Sequence, residues 1–219
     1  MKRLLAAFFA LSLLPFGNLR AADNSPSGGA LADAVWKASG GENWPEVKTI
    51  DFTFAVEKGG QTVASARHHW DVAAQTDRVQ WKGKDVTVNL ANPGTDGDAK
   101  AAYARWVNDS YWLLAPLKLK DRGINVSEEG TKEIDGAQRE VLHLSFGKVG
   151  LTPNDQYRLY IDPKTNLVGS WDYMPEPGKL MHGSWSDYQK SGGLTLATDH
   201  QMDGGVHIRI LNLKVTSDR

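Results

Sequence analysis

The six histidines are the side chains best suited to metal or acid–base chemistry. His68 and His69 are adjacent in a predicted strand, so they point to opposite faces and cannot bind one metal ion together. His200 and His207 flank a Gly-Gly turn, and a two-residue turn there would pair His200 with Arg209. Because that cation would lie between the two imidazoles, we expect no metal site. We interpret these histidines as surface or hydrogen-bonded side chains, and His143 and His182 as isolated.

The carboxylates, serines and glycines form no catalytic motif. Glu128 and Glu129 precede a glycine, as is typical of a solvated strand end, and Asp96 and Asp98 lie where they would cap a helix. Ser145 and Ser184 lack the GxSxG setting of a nucleophile elbow. The Gly-Gly pairs are not followed by helices, so none resembles a phosphate-binding loop. We therefore expect neither an enzyme nor a bound cofactor, with a hydrolase as the minor alternative.

The N-terminus has the pattern of a secretory signal peptide. Lys2 and Arg3 precede an apolar run over 4–16, and small residues follow near Ala21. We expect a signal peptide over 1–21, a disordered leader over 22–29, one domain over 30–219, and a periplasmic location. The absence of cysteine excludes disulfides and a lipid anchor on cysteine. The net charge of −1 gives no electrostatic footprint for nucleic acid.

Alternating apolar and polar residues predict strands along most of the chain. Turn residues separate them, as in Asp162-Pro163-Lys164-Thr165-Asn166. At the first hairpin, a three-residue turn over 58–60 would pair Phe52 with Ala66 and place His68 and Trp70 on the apolar face. The predicted strands are 50–57, one over about 64–70, 76–81, 85–90, 124–129, 139–146, 156–162, 167–174, 180–189, 194–202 and 206–215.

Two segments have helical spacing. Residues 30–39 form a short amphipathic helix, and residues 98–115 form a longer one capped by Asp98. Pro116 should end the second helix, with Leu117 and Leu119 following in extended chain. The apolar stripe of the second helix comprises Tyr103, Trp106, Val107, Ser110, Tyr111 and Leu114.

A sheet of about eleven strands with only two helices must curl, because twist accumulates and a flat single layer would leave one face to water. We therefore predict a mainly β (α+β) fold: a strongly curved antiparallel half-barrel with sequential strands and with helices covering its concave face. The segment NDSYWLLAPLKLKD, residues 108–121, would form a lid over an apolar groove.

Three stretches of the sequence resemble a known family. They are HWDV at 69–72 with RVQW at 78–81, LYIDPKTNLV at 159–168, and WSDYQKSGGL at 185–194. In hairpin and turn chemistry they are similar to the LolA-like superfamily of periplasmic lipoprotein carriers and its exported bacterial relatives. The resemblance implies a carrier that holds a lipid or a lipoprotein acyl chain, with an envelope membrane protein as a transient partner.

The expected binding surface is apolar and needs no catalyst. Each methylene of a buried acyl chain would contribute roughly 0.8 kcal/mol. A carbohydrate-binding module using Trp171, Tyr173, Trp185 and Tyr188 with the carboxylates beside them, and a scaffolding module with a filled core, are the alternatives. We favour a monomer. The expected groove and lid residues are Phe52, Phe54, Trp70, Trp81, Trp106, Tyr111, Trp112, Leu114, Trp171 and Trp185.

Overall fold

A twelve-stranded antiparallel sheet curls around one long helix. The computed structural model describes residues 29–147, 154–175 and 178–218. The predicted signal peptide and all of the predicted leader except Gly29 lie outside these residues. The elements in chain order are α1 (Gly29–Ala38), a 3-10 helix (Gly41–Glu46), β1 (Val47–Lys58), β2 (Gln61–Asp71), β3 (Thr76–Trp81), β4 (Lys84–Asn89), α2 (Gly97–Leu114), a second 3-10 helix (Ala115–Lys120), β5 (Ile124–Ile134), β6 (Ala137–Phe146), β7 (Gln156–Ile161), β8 (Val168–Met174), β9 (Met181–Ser184), β10 (Ser186–Ser191), β11 (Leu194–Met202) and β12 (Val206–Ser217).

The strand order is β4-β3-β2-β1-β12-β11-β9-β8-β7-β6-β5, with β10 also pairing β11. The sheet does not close into a barrel, which confirms the predicted curved half-barrel with few helices. The order is not fully sequential, because the first and last strands pair in the middle of the sheet, Ile50 opposite Val215. The segment predicted as one strand over 180–189 is two strands, β9 and β10, separated at Trp185.

The first hairpin has a different register from the predicted one. Lys58 pairs with Gln61 across a two-residue Gly-Gly turn whose φ angles are 58° and 74°, and a β-bulge follows between Val56 and Glu57. Phe52 therefore pairs with His68. The predicted pairing with Ala66 was wrong, because the true partner lies two residues further along β2. Because side chains alternate with a period of two, the predicted face of β2 is still the buried one.

The second hairpin does not have the two-residue turn considered above for His200 and His207; its turn lies between the predicted strands 194–202 and 206–215. The turn over 203–205 has three residues, so His200 pairs with Ile208 and Asp199 pairs with Arg209. His200 consequently points into the core and is fully buried, whereas His207 lies on the outer face of the sheet.

Helix α2 and the 3-10 helix after it form a continuous segment over 97–120 that contains the predicted lid, 108–121, except for its last residue; the segment 97–120 is called the lid from here on. Asp96, not Asp98, caps α2: its Oδ1 accepts hydrogen bonds from the amides of Asp98 at 3.0 Å and Ala99 at 2.8 Å. Beyond Leu114 the chain continues as a 3-10 helix, so the predicted extended segment was wrong. Pro116 fits there because the first helical turn needs no amide donor.

The hydrophobic core lies between the lid and the concave face of the sheet. The inward residues of β1 are Ile50, Phe52 and Phe54, which alternate with partly exposed polar residues. Within the described part of the chain, no helix is long and apolar enough to cross a lipid bilayer.

Candidate functional site

The ten residues expected to line the groove and lid come together in one hydrophobic cluster. They belong to β1, β2, β3, α2 and β8 and to the residue between β9 and β10. Their exposed fractions range from 0% at Trp106 and Leu114 to 8% at Trp81. The lid therefore packs directly on the concave face.

Two groups of rings join the lid to the sheet. In the first, Trp106 of α2 meets Trp70 of β2 edge-on, with ring centroids 5.2 Å apart. In the second, Trp171 of β8 is central: Trp112 of the lid lies 4.8 Å from it and Trp185 lies 5.2 Å from it, both edge-on. Edge-to-face pairs of this kind each add to the free energy gained by burial.

The position of Trp171 depends on the glycine opposite it. Trp171 of β8 pairs with Gly183 of β9, and Nε1 of the indole lies close above that residue. A Cβ at position 183 would lie 3.2 Å from Nε1 of Trp171 and 2.1 Å from Sδ of Met202. Gly183 thus leaves the space that Trp171 and Met202 fill.

A buried ionic trio also joins the lid to the sheet. His68 of β2 lies with Nδ1 2.7 Å from Oδ2 of Asp77 on β3, and with Nε2 3.0 Å from Oδ2 of Asp109 on α2. The side chains of the three residues are 0%, 0% and 3% exposed. Phe52 stacks on the imidazole at 4.5 Å and shields it. Asn108 donates a hydrogen bond to the other oxygen of Asp109 at 2.7 Å.

The trio holds a charged histidine. Burial alone would lower the pKa of His68, but the charge of Asp77 and the hydrogen bond to Asp109 outweigh it and raise that pKa to about 9. Both ring nitrogens therefore carry protons at neutral pH and donate to the two carboxylates. The sequence analysis placed His68 on the apolar face but missed Asp77 and Asp109. The available signal was a polar residue at an inward position in each of three elements.

His200 of β11 lies against a different part of the lid from His68, next to Trp112. Its ring is 5.4 Å from Trp112 and 4.7 Å from Trp185, and its Nδ1 donates to the carbonyl oxygen of Ser184 at 3.2 Å. Burial lowers the pKa of His200 to about 4, so the imidazole is neutral at pH 7. Of the two buried histidines near the lid, His68 is therefore charged and His200 is neutral at pH 7.

The other histidines lie at least partly on the surface and are hydrogen-bonded; this was predicted for His69 and His207, whereas His143 and His182 were expected to be isolated. Nδ1 of His69 lies 2.7 Å from Asp51, and Nε2 of His207 lies 2.7 Å from Asp199. His182 and His143 have partners at the same distance. In residues 29–147, 154–175 and 178–218, no group of three His, Asp or Glu side chains could hold a metal ion.

Comparisons with known proteins identify the fold. No protein-family model matches the sequence, and no curated protein is significantly similar to it. A LolA superfamily protein from Nitrosomonas europaea matches with a TM-score of 0.52 and 10% identity, over 86% of this chain and 94% of that one. The chain has the LolA-like fold. A DUF1329 family protein from Desulfovibrio piger ATCC 29098 matches with a TM-score of 0.51 and 12% identity, over 89% and 94% of the two chains.

The predicted resemblance is therefore confirmed for the LolA-like fold. At 10–12% identity the likeness concerns architecture alone. Any role in binding has to be argued from the lid and the residues under it.

Proposed function

We propose that this chain is a periplasmic carrier for an apolar ligand, a lipid or a lipoprotein acyl chain, and that the closed lid is its unloaded form. The proposal rests on one observation: a separate helical segment covers the concave face of an open sheet and meets it through aromatic rings. If the lid moved away, an apolar surface lined by several tryptophans would be uncovered. An acyl chain of ten methylenes would gain roughly 8 kcal/mol there before ordering costs.

The lid is attached to the rest of the molecule by three sets of polar contacts. At its start, Lys84 of the β3–β4 hairpin forms an ion pair with Asp98. In the middle, Asp109 binds His68. At its end, Lys120 lies 2.8 Å from Asp33 of α1 and 4.2 Å from the ring of Trp36. Contacts at separate points can break in turn, which suits a segment that opens and closes.

The same features support a role without catalysis. His68 has a carboxylate on each ring nitrogen and no exposed surface, so it presents no lone pair to a substrate. His200 is equally buried. The LolA-like resemblance favours a carrier, and the signal-peptide pattern favours export to the periplasm.

A scaffolding module with a filled core is the second candidate. Every side chain over 109–119 is buried, and the rings of the lid are in direct contact with those of the sheet. The carbohydrate-binding alternative requires exposed ring faces, but Trp171, Tyr173 and Trp185 are 1%, 6% and 3% exposed, and the half-buried Tyr188 donates its hydroxyl to the carbonyl of Val168. Their burial argues against it.

Protein purified from the periplasm distinguishes the two remaining candidates. Native mass spectrometry, followed by solvent extraction and lipid analysis, should find a stoichiometric lipid adduct on a carrier. Delipidated carrier should also unfold at a higher temperature when lipid is returned, because a ligand that binds only the folded state stabilises it. A scaffolding module would carry no lipid, and its unfolding temperature would not change when lipid is added. That result would contradict the carrier proposal.

A further inference from the structure

We infer that the Tyr111 end of the groove is a subsite for the carbonyl oxygen of an ester- or amide-linked acyl chain. Four buried hydrogen-bond donors there, the hydroxyls of Tyr111 and Tyr157 and the indole Nε1 atoms of Trp171 and Trp185, have no partner in the described part of the chain. The inference deepens the proposed function and rests on it.

The four donors belong to rings that touch one another. Tyr157 lies 5.6 Å from Tyr111 and 5.1 Å from Trp171, measured between ring centroids. Trp171 in turn lies 6.1 Å from Tyr111 and 5.2 Å from Trp185. One residue, Tyr111, comes from the lid, and the others come from the sheet. Moving the lid would therefore open this cluster and give a ligand access to it.

Unpartnered donors are unusual in a protein interior, where most buried polar groups are hydrogen-bonded. Other tyrosines of this chain follow the rule. Tyr173 donates to Asp155 at 2.5 Å, Tyr160 donates to Asp172 at 2.5 Å, and Tyr188 donates to the carbonyl of Val168 at 2.8 Å. The exceptions, Tyr111 and Tyr157, lie side by side, and Tyr111 is one of the expected lid residues.

The chemistry of the cluster selects a neutral acceptor. An indole N–H can only donate, and burial raises the pKa of Tyr111 and of Tyr157, so both hydroxyls keep their protons. The charge of Asp121 acts on Tyr111, and that of Asp155 acts on Tyr157. These carboxylates disfavour an anion at the cluster.

Lys118 of the lid, the partner of Asp121, does not change this balance. Nζ of Lys118 lies 2.5 Å from Asp121 and already forms an ion pair. An ester or amide carbonyl accepts hydrogen bonds without bringing charge. The hydrocarbon chain attached to it would run along the apolar concave face, toward Trp106 and Trp70.

Competition binding tests the subsite with two probes of equal chain length, methyl hexadecanoate and octadecane, each displacing a neutral fluorescent naphthylamine from delipidated protein. Wild type should bind the ester more tightly. Tyr157→Phe and Tyr111→Phe should each weaken ester binding about threefold to tenfold, the effect of one hydrogen bond, and leave octadecane binding unchanged. Neither variant should lower the unfolding temperature of the ligand-free protein, because each removes a hydroxyl without a partner.

Tyr173→Phe is the matched control. Its ring stacks on Tyr157 at 4.9 Å, but its hydroxyl already binds Asp155. This variant should lower the unfolding temperature and leave the preference for the ester intact. A diacylglycerol and a lipopeptide with the same acyl chains share the carbonyl. Weaker binding of either by Tyr157→Phe than by wild type supports the subsite, and the order of the two in wild type tells whether free lipid or lipoprotein is the source.

The outcomes separate the subsite from the carrier proposal. Equal binding of ester and alkane by wild type, or an unchanged preference in both Phe variants, would overturn the subsite and leave an apolar carrier. Failure of wild type to bind any of the four probes would overturn the carrier proposal and the subsite with it.

Discussion

Nε2 of His68 lies 3.0 Å from Oδ2 of Asp109, and this hydrogen bond joins the sheet to the lid inside the hydrophobic core. Asp77 holds the other nitrogen of the same ring at 2.7 Å. Breaking a buried ion pair leaves an uncompensated charge, so removal of one partner is costly even where the intact pair contributes little. The trio should therefore control how readily the lid leaves the sheet.

The trio predicts a loss of stability at alkaline pH. The pKa of His68 is about 9 in the folded protein against an ordinary 6.5, so its contribution is complete below about pH 6.5 and is lost as the pH rises through 9. The free energy of unfolding should fall by on the order of 3 kcal/mol over that interval. Denaturant titrations between pH 6.5 and 9 measure this. His68→Gln, which cannot ionise at this position, should lack this alkaline decline; parallel profiles would refute the prediction.

Asp109→Ala should cost far more stability than loss of an exposed carboxylate. It leaves the His68 imidazolium with one partner inside the core, and a loss of about 3–5 kcal/mol is expected. Asp51→Ala is the control, because Asp51 lies 2.7 Å from His69 but His69 is 54% exposed, and about 0–1 kcal/mol is expected there. Chemical denaturation of both variants and of the wild type measures the two losses in the free energy of unfolding. Equal costs would mean that Asp109 does not fasten the lid.

His200 predicts a loss of stability in the acid direction. The pKa of His200 is about 4 in the folded protein, below the ordinary 6.5. Between these pH values the imidazole is protonated in the unfolded chain and neutral in the folded protein. The free energy of unfolding should decline as the pH falls from about 6.5 to 4. His200→Gln should remove most of this decline when unfolding is followed by near-UV circular dichroism. Below pH 4 both proteins should still lose stability, because Asp85 and Glu129 have pKa values lowered to about 2 by their arginine partners. An unchanged slope between pH 6.5 and 4 in the variant would contradict the assignment.

The sequence predicted which side chains of each strand point inward better than it predicted which strands pair with one another. Alternation in β1 identified Phe52 and Phe54 as buried, because a period of two fixes which side chains share a face. Alternation does not say which strand lies beside it, so the pairing of β1 with β12 was not predicted. The bulge near Val56 was missed for the same reason, since it changes the register without changing the pattern.

The polar part of the site was harder to predict. Asp77 occupies an inward position of β3 alternating with Val79 and Trp81, and Asp109 lies three residues after Trp106 in α2. Each alone is typical of a solvated carboxylate. Only the curl of the sheet, which brings β2, β3 and α2 together, shows that both bind the same imidazole.

If the chain is a carrier, the lid must leave the sheet before a ligand can enter. Lys84→Cys with Asp98→Cys places two thiols where an exposed ion pair now joins the hairpin to the start of α2, and the chain has no other cysteine. A short bifunctional thiol reagent should then hold the 18-residue helix closed. Arg78→Cys with Asp85→Cys, bridged in the same way, is the control, because both residues lie within the hairpin itself.

The deciding measurement is the rate at which each bridged protein takes up a pyrene-labelled diacylglycerol from phospholipid vesicles. The account predicts that the bridge between positions 84 and 98 slows uptake at least about tenfold, a barrier increase of about 1.4 kcal/mol or more. The unbridged double variant and the bridged control should take up lipid at the wild-type rate. Uptake by the closed-lid protein at the rate of the bridged control would contradict the account.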